Sequence, residues 1–540
     1  MKMSNFETRR RYDRVKNMRA RLITAHALLP SLPTLILGVL ALIFYGSFLV
    51  HRIDLTIADL GRHLQNGRLA VEQHTIPATN FYSYTEPDYP VTTHHWASGL
   101  LFFLAWKAGG FTGTHLLFIA ISLATLAIVF GMAATAAGSG PATLVTALAV
   151  PLLAERTEIR PEAISYLFAV VFFLLLTRFE RTRDWRWLAV LPLVQALWVN
   201  MHIYFFLGPV LIAIFFAASL FVQPLDRKHT IVLAYTALAT AVASLLNPFF
   251  LKGALAPFTI FENYGYRIAE NQPVWFVETI MQNPNFTIFK ILFGVLIASF
   301  IVRVWMRGKE REMLPLAAIG IMISVLGWMA TRNFALFGFF FVILVASNIA
   351  ACAGPWLAAR RKTLAVTGGV ILTLIMVPAL FGQWQKYFPH WKEPGLGLEQ
   401  GSGDAAAFFR AHGLQGPLFN NYDIGGYLIW HLYPQEKVFV DNRPEAYPAA
   451  FFAEHYIPLQ ERDDAWQKAL AQWQFNAIFF SHRDATPWAQ QFLIARVQDP
   501  AWAPVYADSG TIIFLRRNEQ NNDVIDRFEM PQSAFRIIKQ

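Results

Sequence analysis

Cysteine is almost missing. Cys352 stands alone in 540 residues, inside an apolar run, so there is no disulfide framework and no Cys-based metal site. Charge is scarce as well: Asp, Glu, Lys and Arg make up 15% of the chain against 55% hydrophobic residues, with a mean hydropathy of +0.37. That balance excludes an ordinary soluble enzyme of this length and indicates a polytopic membrane protein. A Walker A loop, a GxGxxG opening a helix, a GxSxG with partners and an HExxH pair are all lacking. Nucleotide hydrolysis, dinucleotide chemistry and zinc proteolysis therefore lack their usual groups. No internal repeat or low-complexity tract stands out. The net charge of +9 does not imply a nucleic-acid partner, because many Lys and Arg residues lie in short loops between apolar runs, where they act as topology signals.

What is present is a series of apolar runs long enough to cross a bilayer, about 20 residues each or somewhat less where polar residues crowd the ends. Expected spans are 29–50, 112–136, 140–154, 161–178, 185–199, 203–222, 229–247, 285–306, 313–330, 333–352 and 363–383, about eleven in all. The basic stretch 1–28 reads as a cytoplasmic arm before an uncleaved first span. Segment 96–109 is apolar but short and ends at Gly109 and Gly110, and it is expected to be interfacial or re-entrant. With that choice Arg178, Arg181, Arg183 and Arg186 fall inside, as do Arg227 and Lys228, Arg303 to Arg311, and Arg360 to Lys362. A full span at 96–109 would invert each of these loops against the positive-inside bias.

The same parity gathers a second set of loops on the outer side. The first, residues 51–111, holds Asp54, Asp59, Arg62, His63, His94 and His95. The others carry Glu155, Arg156, Glu158, Arg160 and Glu162, then Asn200 and His202, then Asn247, the long segment from Glu262 to Glu278, and Arg332 with Asn333. Inner loops are mainly Arg and Lys, whereas these mix Asp, Glu, His, Asn and Arg, so the outer face has the composition of a site. In a helical ADLGRHLQNG, Asp59 and His63 stand four apart on one face with Arg62 close by. A carboxylate oriented by His or Arg at a membrane surface is suited to take a proton from a hydroxyl. Arg62, Arg156, Arg160 and Arg332 are suited to a phosphate leaving group. His94, His95 and His202 have no fixed metal-ligand spacing and read as interface or substrate hydrogen-bonding groups. Most of the 47 Phe and 16 Trp face lipid or line the interface, with Tyr264, Tyr266 and Trp275 placed to stack on sugar rings.

Residues 384–540 change character and read as an extracytoplasmic α/β domain. Strands are expected at 417–420, 437–441, 477–481, 503–507 and 511–517, with a helix from Asp404 and further helices at 424–432, 460–473 and 486–498. Its NNYDIGG and DNRPEAY stretches have two readings, a folding role or acceptor binding at the membrane surface.

Taken in order, DLGRHLQNG, Pro77 with FYSYT, HHW before a segment ending in GG, RPEAISYLF, WVNMH, NPF and TRN resemble the GT-C glycosyltransferases. The resemblance is nearest to the dolichyl-phosphate-mannose mannosyltransferase-like and aminoarabinose transferase-like bacterial branch, and it covers residues 29–383. It implies an α-helical polytopic GT-C-like membrane domain and a polyprenyl-phosphate sugar donor. It further implies inverting transfer to an extracytoplasmic lipid, glycan or protein acceptor, in a bacterial inner membrane with the N-terminus cytoplasmic. Carried over by position, Asp59 matches the family's catalytic base, with Asp54 as the alternative. Where relatives pair two acids, Asp59 is followed by Leu60, and Glu155, Glu158 and Glu162 stand as replacements. No cofactor is required by such a transfer, although some relatives use a divalent ion. The rival readings are a lipid-linked glycan transporter or flippase, which needs ionisable groups at mid-span, and a non-catalytic membrane-anchored assembly protein.

Overall fold

The structure is a computed structural model that describes residues 30–221, 226–259, 264–308, 310–387 and 393–536. The basic arm expected at 1–28, Lys309 and Glu262 lie outside these residues. Each of the eleven expected spans holds helix. Among the described residues, seven helices are long and apolar enough to cross a membrane, and the chain is a multi-pass membrane protein. The other four positions carry shorter helices, Ser139–Leu153, Arg186–Ala189 with Leu191–Trp198, Arg227–Ala243 and Met313–Met329.

Three helices position the site: α1 (Leu32–Leu49), α2 (Leu60–Glu72) and α3 (Trp96–Ala137). The 42-residue run of α3 is two helices folded back on each other. Gly109 and Gly110 leave helical geometry, and Gly110 adopts φ +60° and ψ −155°, a conformation that glycine enters at little cost. Thr114 Oγ1 then donates to the Phe102 carbonyl at 3.3 Å, although twelve residues of straight helix would separate them by about 18 Å. The short segment expected at 96–109 is thus the first arm of a helical hairpin, and the second arm is the crossing helix. His115, at the start of that second arm, bonds the Leu49 carbonyl at 2.9 Å, at the same end of the bundle as His95. The hairpin therefore starts and ends on one side, which keeps the parity of the later loops.

Residues 50–95 and the C-terminal domain are joined by backbone. His51 and Ile53 form bridges with Pro394 and Leu398, and Ser83 forms one with Val438. Arg52 reaches the Leu398 and Leu396 carbonyls. The domain's sheet has four strands, β1 (Leu418–Phe419), β2 (Ala477–Ser481), β3 (Trp502–Ala507) and β4 (Thr511–Arg516), in the order β1-β2-β4-β3. β1 pairs with β2 in parallel, and the remaining pairs are antiparallel. A strand at 437–441 is not among them. Its backbone is turned to the first loop instead, with Val438 N donating to Tyr82 O and Phe439 O accepting from Ser83 and Thr85. Helices Asp404–Ala411, Gly425–Leu432, Asp463–Trp473 and Pro487–Gln498 form close to the expected positions. A cluster of buried aromatic side chains, among them Phe419, Phe439, Trp466, Phe480 and Phe492, fills the domain core.

The first arm of α3 crosses α2 at two glycines. A methyl added at Gly67 would stand 2.2 Å from the Gly99 carbonyl oxygen, and one at Gly99 would stand 2.6 Å from the His63 carbonyl oxygen. Small residues at such a crossing let the backbones approach closely. Gly67→Ala is therefore expected to cost about 1–3 kcal/mol by overpacking, seen as a lower thermal midpoint of the detergent-solubilised protein. Gly131→Ala adds a methyl that meets nothing within 4 Å and is expected to leave the midpoint in place. Equal midpoints for the two variants would contradict this account of the crossing.

Candidate functional site

Asp59 immediately precedes α2, and its carbonyl accepts the His63 amide at 3.2 Å. Its side chain stays 25% exposed while the guanidinium groups around it are largely buried. Arg62, one turn along α2, lies 3.9 Å from one carboxylate oxygen, and Arg160 lies 4.0 Å from the same oxygen. The other oxygen accepts a hydrogen bond from Asn442 Nδ2. Asn442 Oδ1 in turn accepts from Arg62 Nε at 3.2 Å, so one amide of the C-terminal domain fixes both acid and base. Asn442 is itself held by its neighbours: Arg443 makes a buried pair with Asp441 at 2.6 Å and donates to Asn80 at 2.6 Å. Of the DNR run, Asp441 and Arg443 thus have the folding role and Asn442 faces the acid. Gly61 allows the close contact of α2 with the helix Gly425–Leu432, since a methyl there would sit 2.4 Å from the Gly426 carbonyl oxygen.

Beyond Asp59, arginines of two of the loops expected outside form one network with carboxylates of their own loops and of the segment around Glu270. Arg156 pairs with Glu162, and with Glu270 at 2.5 Å. Arg160 pairs with Glu158 at 2.7 Å and with Glu270 at 2.8 Å. Arg332 pairs with Glu162 at 3.2 Å and donates to Asn271 at 2.7 Å. Loops expected on one face are therefore in contact at one end of the bundle. At helix ends away from this network, Glu180 pairs with Arg183 and His229, Arg303 and Arg307 with Glu310, and Arg361 with Ser31. The Arg156 and Arg160 guanidinium groups hold the Glu270 carboxyl well below the usual range against the opposing effect of burial.

The histidines differ from the sequence expectation. His63 does not share a face with Asp59 but turns inward, its ring 4.6 Å from that of His95 and 6.4 Å from that of Phe102. His95 Nε2 accepts from Arg62 Nη1 at 3.0 Å, which puts its proton on Nδ1. Burial, reinforced by neighbouring His and Arg groups, drives His63 and His95 well below the ordinary histidine value, so both are neutral. They orient and pack Arg62 rather than adding positive charge. His94 bonds the Thr92 carbonyl, and burial pushes it down to about 4. His202 bonds Ser165 at 2.9 Å and caps the turn at Tyr204.

Several other expected residues are committed elsewhere. Asp54 accepts from Thr56 and pairs with Arg483 at 2.5 Å. Glu155 is held by Asn283 and Asn285. Asn200 accepts from Trp96 Nε1 at 2.8 Å and donates to the Ala196 and Leu246 carbonyls, a role in helix packing. Three further polar residues near Asp59 lie in stretches that the sequence marked without naming them: Glu270 in the segment from Glu262 to Glu278, Asp423 in NNYDIGG and Asn442 in DNRPEAY. Burial, then the Asp484 and Asp59 carboxylates, push Asp423 up to about 7. Glu270 offered one signal, as an acid in the longest of the loops expected outside after the first. Asn442 stands in the DNRPEAY stretch with its two readings, and nothing in the sequence ties it to Asp59 in the other domain. Among the described residues no group of three or more His, Cys, Asp or Glu has a metal-holding arrangement.

No family model and no curated protein matches the sequence. Solved structures do. The archaeal oligosaccharyltransferase AglB from Archaeoglobus fulgidus, in complex with an inhibitory peptide and a dolichol-phosphate, is similar at TM-score 0.60 and 12% identity. The match covers 90% of this chain and 74% of that one. The same oligosaccharyltransferase tethered to an acceptor peptide containing the NVT sequon gives 0.59 at 11% identity, with the same coverage. ArnT from Cupriavidus metallidurans bound to undecaprenyl phosphate gives 0.50 at 12% identity, over 92% of this chain and 99% of that one. At such identities the likeness shows the fold alone, which this chain shares with these proteins.

Neutral buried histidines make stability depend on pH. The folded values of His63 and His95 lie below the unfolded value of about 6.5, so their contribution is complete above that pH. It is lost as pH falls through the folded values, because the unfolded chain takes up protons that the folded chain refuses. The thermal midpoint is expected to drop on acidification below about pH 6.5. His95→Gln keeps an acceptor for Arg62 and does not titrate, so its midpoint should fall less steeply over the same range. An unchanged slope in that variant would count against the assignment.

Proposed function

We propose that this protein is an integral-membrane glycosyltransferase that moves a sugar from a polyprenyl-phosphate donor to an extracytoplasmic acceptor. The observation that carries the reading is the setting of Asp59: a partly exposed carboxylate at the end of the helix bundle, held by Asn442 and flanked by Arg62 and Arg160, with Arg156 and Arg332 behind them. In this reading Asp59 takes the proton of an acceptor hydroxyl. The freed oxygen attacks the anomeric carbon as the bond from that carbon to the phosphate oxygen breaks, inverting the configuration. The arginines bind the departing phosphate, whose charge they match with planar, fixed donors. The solved GT-C neighbours were captured with dolichol-phosphate and with undecaprenyl phosphate, which supports a lipid-phosphate donor here. The mixed acidic and basic loops at one end of the bundle, and the Arg- and Lys-rich loops at the other, support a cytoplasmic N-terminus and an extracytoplasmic C-terminal domain in the inner membrane. The acceptor is a lipid, a glycan or a protein, and the transfer as drawn requires no metal.

Asp59→Asn retains a partner for Asn442 but removes the base. Transfer from a polyprenyl-phosphate sugar is expected to fall about 10²–10⁴-fold, with insertion and thermal midpoint kept. Full activity in that variant, measured with purified protein and radiolabelled donor, would remove Asp59 from the role.

A further inference from the structure

Residues 264–272, the first part of the segment that runs on to Glu278, are fastened at two points. Glu270 places one carboxylate oxygen on Arg156 Nη1 at 2.5 Å and the other on Arg160 Nη1 at 2.8 Å. Its carbonyl accepts from Thr331 Oγ1 at 3.3 Å, and Asn271 beside it accepts from Arg332. Near the other end Tyr266 stacks on Tyr422 of the C-terminal domain, ring centres 4.4 Å apart, and meets Phe452 at 5.2 Å. Two oxygens of one anion shared between two guanidinium groups is also the way a phosphoryl group is held. The arginines have capacity to spare. Arg156 Nη2 is buried with no partner, on a side chain only 9% exposed, and Arg332 Nε is likewise buried and unbonded.

The charges around Glu270 are balanced: Arg62, Arg156, Arg160 and Arg332 face Asp59, Glu158, Glu162 and Glu270. Taking Glu270 away leaves one positive charge uncompensated among largely buried groups, which is costly unless another anion replaces it. Glu162 cannot be that replaceable anion, being 3% exposed and clasped between Arg156 and Arg332. Glu270 is 24% exposed, and its segment also carries the exposed Arg267. It is the one carboxylate of the network that leaves with a surface segment.

We propose that Arg156 and Arg160 form a phosphoryl subsite whose built-in occupant is Glu270, and that the donor's lipid phosphate binds by displacing this carboxylate and releasing residues 264–272, while the helix Val274–Val277 stays packed. The inference rests on the reading of these arginines as the phosphate site. Release lifts Tyr266 from Tyr422, whose hydroxyl is buried without a partner, and uncovers that aromatic face for the acceptor. Donor binding thus precedes opening of the acceptor side. Without donor the arginines stay neutralised and the segment stays down.

The test uses the full-length protein in detergent with farnesyl phosphate as probe. Binding is followed by calorimetry, and segment release by tryptic cleavage after Arg267. In the unsubstituted protein the probe is expected to bind and to speed cleavage, whereas farnesol does neither. Glu270→Gln is expected to bind about tenfold more tightly and to be cleaved rapidly without probe, and Arg160→Gln is expected to lose binding. If Glu270→Gln leaves both affinity and cleavage unchanged while Arg160→Gln abolishes binding, the phosphate site stands and the displacement is overturned. If Arg160→Gln binds the probe normally, the phosphate site itself falls, and the displacement with it. Should Glu270→Gln fold poorly, Tyr266→Ala loosens the segment from the far end without touching the arginines. It is expected to quicken cleavage and tighten binding, and no change in either would overturn the proposal.

Discussion

Ionised arginines buried in an otherwise apolar protein are the constraint on which the rest of this structure depends. A guanidinium cannot discharge in a protein, so each one taken out of water must find anions and acceptors, and a missing partner costs about 3–5 kcal/mol. Arg156 and Arg160 follow Ser139–Leu153, Arg332 lies between Met313–Met329 and Phe334–Ala359, and Arg62 stands in α2. Their partners come from other segments again: Glu270 and Asn271 from the long loop before Pro284–Arg307, Asn442 from the C-terminal domain. Satisfying the arginines therefore draws the helix ends, the long loop and the domain to one place. Apolar packing alone would leave helices free to slide in a lipid environment as apolar as their own surfaces. The charged network fixes their register at this end.

The C-terminal domain is part of this arrangement rather than an appendage. Its own buried pair, Asp441 with Arg443, makes a rigid base from which Asn442 projects toward Asp59. The residues expected as a strand at 437–441 are used to clasp Tyr82 to Thr85 of the first loop, which carries that base up to α2. A carboxylate at a water-facing surface would wander among rotamers. Asp59 is held through an amide anchored by a buried salt bridge, and it still keeps a quarter of its surface open.

The helices were legible because a bilayer demands about 20 apolar residues per crossing and tolerates few substitutes. The break at Gly109 and Gly110 was legible too, since the charge bias of every later loop depended on it. The convergence of Arg156, Arg160 and Arg332 followed from the same parity, before any contact was known. Pairings at the site were not legible, for a physical reason. Helical spacing puts Asp59 and His63 on one face, but it cannot tell which partner each will prefer once α3 folds back, and His95 and Phe102 claim His63. Asp54 and Asp59 look alike in sequence, and only the position of Arg483 on a distant loop distinguishes them. The contribution of Asn442 depends on two segments far apart in the chain meeting at a polar contact that leaves no periodic trace.

One side chain ties the two halves of the chemistry together. Arg160 lies 4.0 Å from Asp59 and 2.8 Å from Glu270, so the carboxylate assigned to the acceptor and the position assigned to the leaving group share a single guanidinium. Its planar fork is fixed further by Glu158, which leaves it little freedom to follow one partner without disturbing the other. An exchange of anions at the Glu270 position is therefore felt at Asp59 through a rigid, nearly buried group rather than across water, where the same interaction would be screened. Asn442 holds the other oxygen of Asp59, and Arg62 flanks the oxygen that Arg160 approaches, so the carboxylate responds electrostatically while its position is kept. In the proposed reading, that combination of a carboxylate fixed in place and a cation shared with Glu270 links acceptor activation to donor occupancy.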